Sequence, residues 1–74
     1  MSKEQTFILD YVLSGIVTLI MKDRRLSTPE ALEVLYSSRL YEKLNDLDTG
    51  LYLQSADYNY EILQDELNAG NHIL

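Results

Sequence analysis

The first third of the chain shows a helical period of apolar and polar positions. Good helix formers run from residue 3 to residue 24 without Pro, and bases at residues 22, 24 and 25 suit the negative end of a helix dipole. Within this stretch Asp10, Ser14 and Thr18 recur four residues apart and form one narrow polar stripe. The spacing predicts a long N-terminal helix of about 30 Å.

Most other positions of this helix are apolar, so its apolar surface is broader than a bundle helix needs. A surface helix buries a stripe only somewhat wider than about 100°. Two interpretations stay open: the other helices enclose this one completely, or part of its surface is a homodimer seam or a face for a partner protein. On this helix we expect Ile8, Val12 and Leu19 at such a face.

Two short helices should follow. Ser27 or Thr28 can cap a helix over residues 29–36, which begins with a Pro suited to the first helical position. Ser37 and Ser38 can cap a further short helix, or a bent continuation, over residues 39–44. The apolar positions expected to be buried in these two segments are Leu32, Leu35, Tyr36, Leu40, Tyr41 and Leu44.

Residues 46–50 form a turn-rich loop in which Gly50 can adopt positive φ. Residues 51–53 should form an extended connector that tucks Leu51 and Leu53 under the domain. Ser55 then caps a last helix over residues 56–69, which Gly70 ends. The buried face of this helix is expected at Ala56, Tyr60, Leu63 and Leu67.

These elements predict one all-α domain over residues 1–74. It is a small bundle of three to four helices, in which two short helices and a C-terminal helix pack one long N-terminal helix, with a frayed tail at residues 71–74. A length of 74 residues with 46% hydrophobic content supports a single core. The chain has no Cys, which excludes disulfides, thiolate nucleophiles and cysteine-bound zinc.

The net charge of −6 lies entirely in residues 42–74, where Lys43 is the only base. Asp57, Glu61 and Asp65 lie on one face of the last helix. This acidic face is either simply solvated or docks a basic partner protein. Of the six Tyr residues, spacing places Tyr60 in the core, while Tyr52 and Tyr58 are candidates for exposed contact.

Candidate chemistry is sparse. Residues 46–57 resemble a calcium loop but have Gly at its fifth position and Asp at its twelfth, where Gly is needed at the sixth and Glu at the twelfth. His72 has no second ligand type or Ser partner near it, so we expect no metal, no cofactor and no enzyme. Residues 7–21 are too short to span a membrane and lack a basic leader, which favours a cytoplasmic protein without a membrane segment.

Residues 27–44, 55–58 and 63–66 resemble a small bacterial family of short helical proteins known only as a domain of unknown function. The matching positions are Ala31, Leu32, Tyr36, Ser38, Tyr41, Ser55 and Tyr58, and the match covers about residues 9–67. Genes of that family often lie beside genes for ADP-ribosyltransferase-like proteins. The resemblance therefore implies a partner-binding, antitoxin-like role, and it implies no role for any single residue.

The sequence thus predicts a non-enzymatic protein–protein interaction module, antitoxin-like or regulatory, that uses the apolar face of the first helix and the acidic face of the last. The alternative is a nucleic-acid-associated transcriptional regulator that acts as a dimer and gathers Lys22, Arg24, Arg25 and Arg39. Phosphate binding needs clustered bases, so a net charge of −6 disfavours nucleic acid as a partner of the chain acting alone.

Overall fold

The computed structural model describes the backbone of residues 1–73 and the side chains of residues 1–69. Its elements, in order, are α1 (Lys3–Arg24), α2 (Thr28–Tyr36), α3 (Arg39–Asn45), two 3₁₀ turns (Leu47–Thr49 and Leu51–Leu53) and α4 (Ala56–Ile73). The predicted all-α bundle, with a long N-terminal helix packed by shorter helices, is confirmed.

Serine side chains cap the starts of the helices, as predicted for α2, α3 and α4, whereas the Ser2 cap of α1 was not predicted. Ser2 and Gln5 form a capping box at α1, and Ser27 and Glu30 form another at α2. The hydrogen bond from the Ser27 backbone N–H to the carboxylate lowers the pKa of Glu30. Ser55 Oγ accepts a hydrogen bond of 3.0 Å from the backbone N–H of Tyr58 in the first turn of α4.

The core lies along the inner side of α1, which packs against α4, α2 and the second 3₁₀ turn. It is almost entirely aliphatic, with two Tyr at its edge. Its members are Leu9, Val12, Ile16, Ile20, Ala31, Leu35, Leu40, Leu44, Tyr52, Tyr60 and Leu63. Because the inner stripe of α1 takes part along most of the helix, α1 is the element around which the others are arranged.

Helices α1 and α4 approach each other closely at Gly15. A Cβ atom on Gly15 would lie 2.7 Å from the Cβ of Ala56, closer than two carbon atoms can pack. The two small residues therefore set the distance between the long helix and the start of α4. Neither a periodicity argument nor the buried face predicted for α4 reveals that these two positions meet.

Several local expectations were wrong. Residues 51–53 form a tight 3₁₀ turn and not an extended connector, so Tyr52 points into the core while Leu53 is exposed. Tyr36 is also exposed, because α2 turns its Ala31 and Leu35 face toward the core.

The predicted end of α4 was wrong as well. The helix continues through Gly70 to Ile73, because Gly can adopt right-handed helical backbone at a cost of about 1 kcal/mol. The frayed tail was predicted for residues 71–74, whose side chains lie outside the described residues. The side chain of His72 is one of these.

Helix α1 is long and apolar enough to cross a membrane, judged by length and composition alone, with a mean hydropathy of 1.3 over its most apolar window. Residues 7–21 were judged too short to span a membrane, but the helix that contains them has 22 residues, so that judgement was wrong. Core helices of soluble proteins and signal sequences have the same properties. The cytoplasmic location therefore stays a prediction.

Buried asparagine holds the junction before α4. Asn59 is fully buried, and its Nδ2 donates hydrogen bonds to the carbonyl oxygens of Leu51 (2.9 Å) and Ser55 (3.0 Å). Spacing alone did not single out this residue. The side-chain amide ties the second 3₁₀ turn to the first turn of α4, which fixes the direction in which α4 leaves the loop.

The Gly15 contact leads to a stability prediction. Gly15→Ala should lower the free energy of unfolding by about 1 kcal/mol, because overpacking at Ala56 outweighs the roughly 1 kcal/mol that Ala gains in helix propensity. Urea unfolding measures this change. Adding Ala56→Gly should recover part of the loss, so a double-mutant cycle without coupling, or a more stable Gly15→Ala variant, would contradict the close approach.

Tyr60 gives the stability of the fold a dependence on pH. Burial, and then the 2.6 Å hydrogen bond that its hydroxyl donates to the Asp23 carboxylate, raise the pKa of Tyr60 above its ordinary value of 10.0. Between that value and the raised pKa the folded state holds a proton that the unfolded chain has lost. The contribution of Tyr60 is therefore complete below about pH 10 and declines as pH rises through the raised pKa.

We expect the Tyr60→Phe variant to show a shallower fall in unfolding free energy above about pH 10 than the parent protein. At neutral pH it should be less stable by about 1–2 kcal/mol, because it loses a hydrogen bond to a charged group. Tyr58→Phe, at a half-exposed tyrosine, is the matched control and should follow the parent curve. Parallel curves for Tyr60→Phe and its parent would refute the assignment.

Candidate interaction surface

The side of α1 that faces away from the core carries two large aromatic residues. Phe7 is 72% exposed and Tyr11 is 76% exposed, the two most exposed of the large apolar side chains in the described part of the chain. Ser14 and Thr18 continue the same stripe and are also exposed. We call these four residues the outer face of α1. It is half aromatic and half small and polar.

One open groove borders the outer face on the side of α4. It holds about 690 Å³ and lies between α1, the second 3₁₀ turn and the first turn of α4. Tyr11 and the exposed Leu53 form apolar walls, Val12 and Gly15 form part of the lining along α1, and Asp57 stands at the α4 side. The groove has the volume of a small-molecule pocket, but it is open to solvent and would bury little of such a ligand, so it suits the side chains of a partner protein better.

A second groove of about 450 Å³ borders the outer face on the side of α2. Leu13, Val17 and Leu32 line it, and Tyr36 stands at its edge. The ring of Tyr36 lies 4.9 Å, centroid to centroid, from the ring of Tyr41, which holds the exposed tyrosine in place. The outer face of α1 is thus flanked on both sides by apolar walls.

The structure separates the three interface residues predicted on α1. Ile8 is on the surface, and Leu19 is partly buried against the core. Val12 was predicted wrongly, because it belongs to the core and reaches the surface only as lining of the first groove. The open question about α1 is also answered within one copy of the chain: the other helices do not enclose it, since Phe7 and Tyr11 remain exposed.

Of the two tyrosines predicted to make exposed contacts, only one is at the surface. Tyr58 is half exposed in the first turns of α4. Tyr52 was predicted wrongly: it is buried, and its hydroxyl lies 3.5 Å from Gln5 Nε2, a long hydrogen bond to the N-terminal turn of α1. The 3₁₀ turn rotates Tyr52 inward, and an extended connector would have placed it outward.

The acidic residues of α4 serve two different purposes. Asp57, Glu61 and Asp65 are exposed, as predicted, and we call them the acidic ridge. Glu66, next to Asp65 in sequence, is partly buried, and its carboxylate accepts hydrogen bonds from the backbone N–H groups of Arg39 (2.7 Å) and Leu40 (3.0 Å). It therefore satisfies the start of α3 and is not available for a partner.

The surface contains residues that sequence reasoning missed. Phe7 and Tyr11 were not singled out as an exposed face of α1, and Leu53 and Tyr36 were predicted to be buried. For the first two a signal existed, because they share the spacing of Ser14 and Thr18 and so lie on the polar side of α1. For Leu53 and Tyr36 no such signal exists, since the path of the loop and the rotation of α2 are tertiary properties.

Within the described residues, no group of three His, Cys, Asp or Glu side chains could hold a metal ion. Lys22, Arg24 and Arg25 are exposed together at the C-terminal end of α1. The expectations that the chain is not an enzyme and needs no cofactor stay predictions.

Glu66 and Asp65 form a natural matched pair for a test of the α3 cap. Glu66→Gln should lower the free energy of unfolding by about 1–2 kcal/mol, because a charged cap at the N-terminus of α3 is replaced by a neutral amide. Asp65→Asn should change it by less than about 0.5 kcal/mol. Chemical unfolding of both variants measures the difference, and equal effects would show that Glu66 does not act as the cap.

Comparisons with models of protein families, with curated proteins and with solved structures find no match to this chain. The resemblance drawn from residues 27–66 therefore stays a prediction. The described surface of the protein has an exposed aromatic helix face between two apolar grooves, with an acidic ridge beside one of them.

Proposed function

We propose that this chain is a non-enzymatic protein–protein interaction module that engages its partner through the outer face of α1. The exposure of Phe7 and Tyr11 supports the proposal most directly. Covering a large aromatic side chain is worth about 1.5–3 kcal/mol, so two such residues side by side favour association. Aromatic residues at the centre of an interface commonly supply most of its binding energy.

The grooves beside the outer face offer a partner further contacts that would make its binding specific. Exposed Leu53 and Tyr36 extend the apolar surface to both sides of the helix. A partner segment could therefore contact the aromatic residues and insert side chains into the grooves at the same time. Apolar patches of this kind, with polar surroundings, mark interaction sites in soluble proteins.

Charge favours a basic partner where the contact extends to α4. Asp57 lies at the first groove and begins the acidic ridge. A basic partner would be drawn to this side of the molecule and held in register there, an effect that speeds association and weakens with salt. A regulatory or antitoxin-like role is the form of the proposal that the family resemblance implies.

Site-specific photocrosslinking in the native host tests the proposal. A benzophenone amino acid replaces Tyr11 in one variant and Glu42, exposed on α3, in a control variant. We expect one discrete covalent adduct from position 11 and none from position 42. Mass spectrometry identifies the protein attached, and a second copy of this chain and a different protein both count as partners.

A further variant shows that the adduct depends on the outer face. Phe7→Glu, combined with the benzophenone at position 11, should abolish the adduct, because it places an unpaired charge in the apolar contact. Phe7 is exposed, so this substitution should leave the fold intact, which circular dichroism checks. The proposal is wrong if position 11 gives no adduct, or if the same adducts form at position 42.

A further inference from the structure

The solvent side of α1 has the residue spacing of a two-helix contact. Its positions alternate three and four residues apart, the pattern by which one helix face meets another over several turns. The members of this seam are Glu4, Phe7, Tyr11, Ser14, Thr18, Met21 and Arg25. All are exposed except Met21, which is partly buried. Met21 packs partly against the core beside Thr28 of α2, whereas the other members of the seam face solvent within the described residues.

The side chains of the seam differ in size along its length. Its N-terminal half carries the large aromatic residues Phe7 and Tyr11, while its C-terminal half carries the small residues Ser14 and Thr18. Close packing between two surfaces requires that projections meet depressions. The four central positions of the seam therefore have complementary sizes when one copy of the helix is reversed, whereas Met21 and Arg25 beyond them are large.

An antiparallel arrangement brings the halves together in one register. When Phe7 lies opposite the partner's Thr18, Tyr11 lies opposite the partner's Ser14, and the two-fold axis repeats both contacts. A parallel arrangement would instead stack Phe7 on the partner's Phe7 and leave the small residues facing each other across a gap. Size complementarity therefore favours the antiparallel pair.

Charge along the seam favours the same direction. Its N-terminal part has Glu4 and Asp10 against Lys3, whereas its C-terminal end has three exposed bases, Lys22, Arg24 and Arg25, against the exposed Asp23. Asp23 at that end is engaged with Tyr60. The antiparallel register places Glu4 opposite the partner's Met21, with the partner's Lys22 next to it. It also sets the two helix dipoles in opposite directions.

We infer that the partner of the outer face is a second copy of this chain, and that the two copies pair through α1 as an antiparallel, two-fold symmetric dimer. This inference rests on the proposed function, because it names the occupant of the same surface. A contact along the full length of α1, about 32 Å, covers roughly 600 Å² of each copy, which places the pair at the small end of specific interfaces. The expected dissociation constant is in roughly the micromolar range.

Sedimentation of the purified full chain over a range of concentrations measures the pairing. We expect the mass to rise from one copy to two between about 1 µM and 100 µM. Tyr11→Ser should raise the dissociation constant roughly a hundredfold, because the substitution acts twice in a two-fold dimer. Tyr58→Ser, at a half-exposed tyrosine outside the seam, should leave it unchanged.

A charge-reversal cycle tests the register. Glu4→Lys alone and Lys22→Glu alone should each raise the dissociation constant roughly fivefold, because each places like charges together twice. The double variant should return close to the parent value. If the losses of binding free energy in the two single variants simply add in the double variant, the register is wrong.

Single cysteine substitutions test whether the two α1 helices run antiparallel. Because the chain has no native Cys, no other thiol of the protein can react. An oxidised mixture of the Glu4→Cys and Lys22→Cys proteins should yield a mixed disulfide dimer. Either variant alone should remain unlinked, since identical positions lie about 25 Å apart in the antiparallel pair. A parallel pair would link each variant to itself, which would overturn the inference.

Failure of the dimer and failure of the interaction module can be told apart. A chain that stays monomeric up to about 1 mM, or a dimer insensitive to Tyr11→Ser, overturns the dimer. If such a monomer still gives a position-11 adduct with a different protein, the proposed function holds with another occupant. If it gives no adduct, both are wrong.

Discussion

The close passage of α1 over the start of α4 is the constraint on which the rest of the structure depends. Gly15 allows it, because a Cβ there would collide with Ala56. Once the two helices are this close, Leu9, Ile16 and Ile20 face inward and the opposite side of α1 is left to solvent. The outer face and the groove between α1 and α4 both follow from this one contact.

Polar side chains fix the joints around that contact, while an aliphatic core supplies burial. Glu66 reaches from α4 to the start of α3, and Asn59 holds the last turn of the loop against α4. The hydroxyl of Tyr60 ties α4 to the C-terminal end of α1. A chain of this size without disulfides has a small core, so the orientation of its short helices depends on such directed contacts.

Two aromatic residues of α1 lie at the surface of the protein and not in its core. The only Phe of the chain and the most exposed Tyr lie together on α1, where they add nothing to the core of one copy. A small domain gains stability from every apolar residue that it buries, so the exposed outer face contributes nothing to the fold and would be covered in the proposed association. The acidic ridge beside the groove sets the sign of charge that a further partner should carry.

The sequence alone predicts the helices, most of their serine caps and the acidic face, because periodicity, capping and charge are local properties. The bounds of α1 and the exposure of Asp57, Glu61 and Asp65 were predicted in this way. Tertiary structure alone decided that Tyr52 and Val12 are buried and that Leu53 and Tyr36 are exposed. Those outcomes depend on the rotation of a 3₁₀ turn and of α2 against the core, which no local pattern specifies.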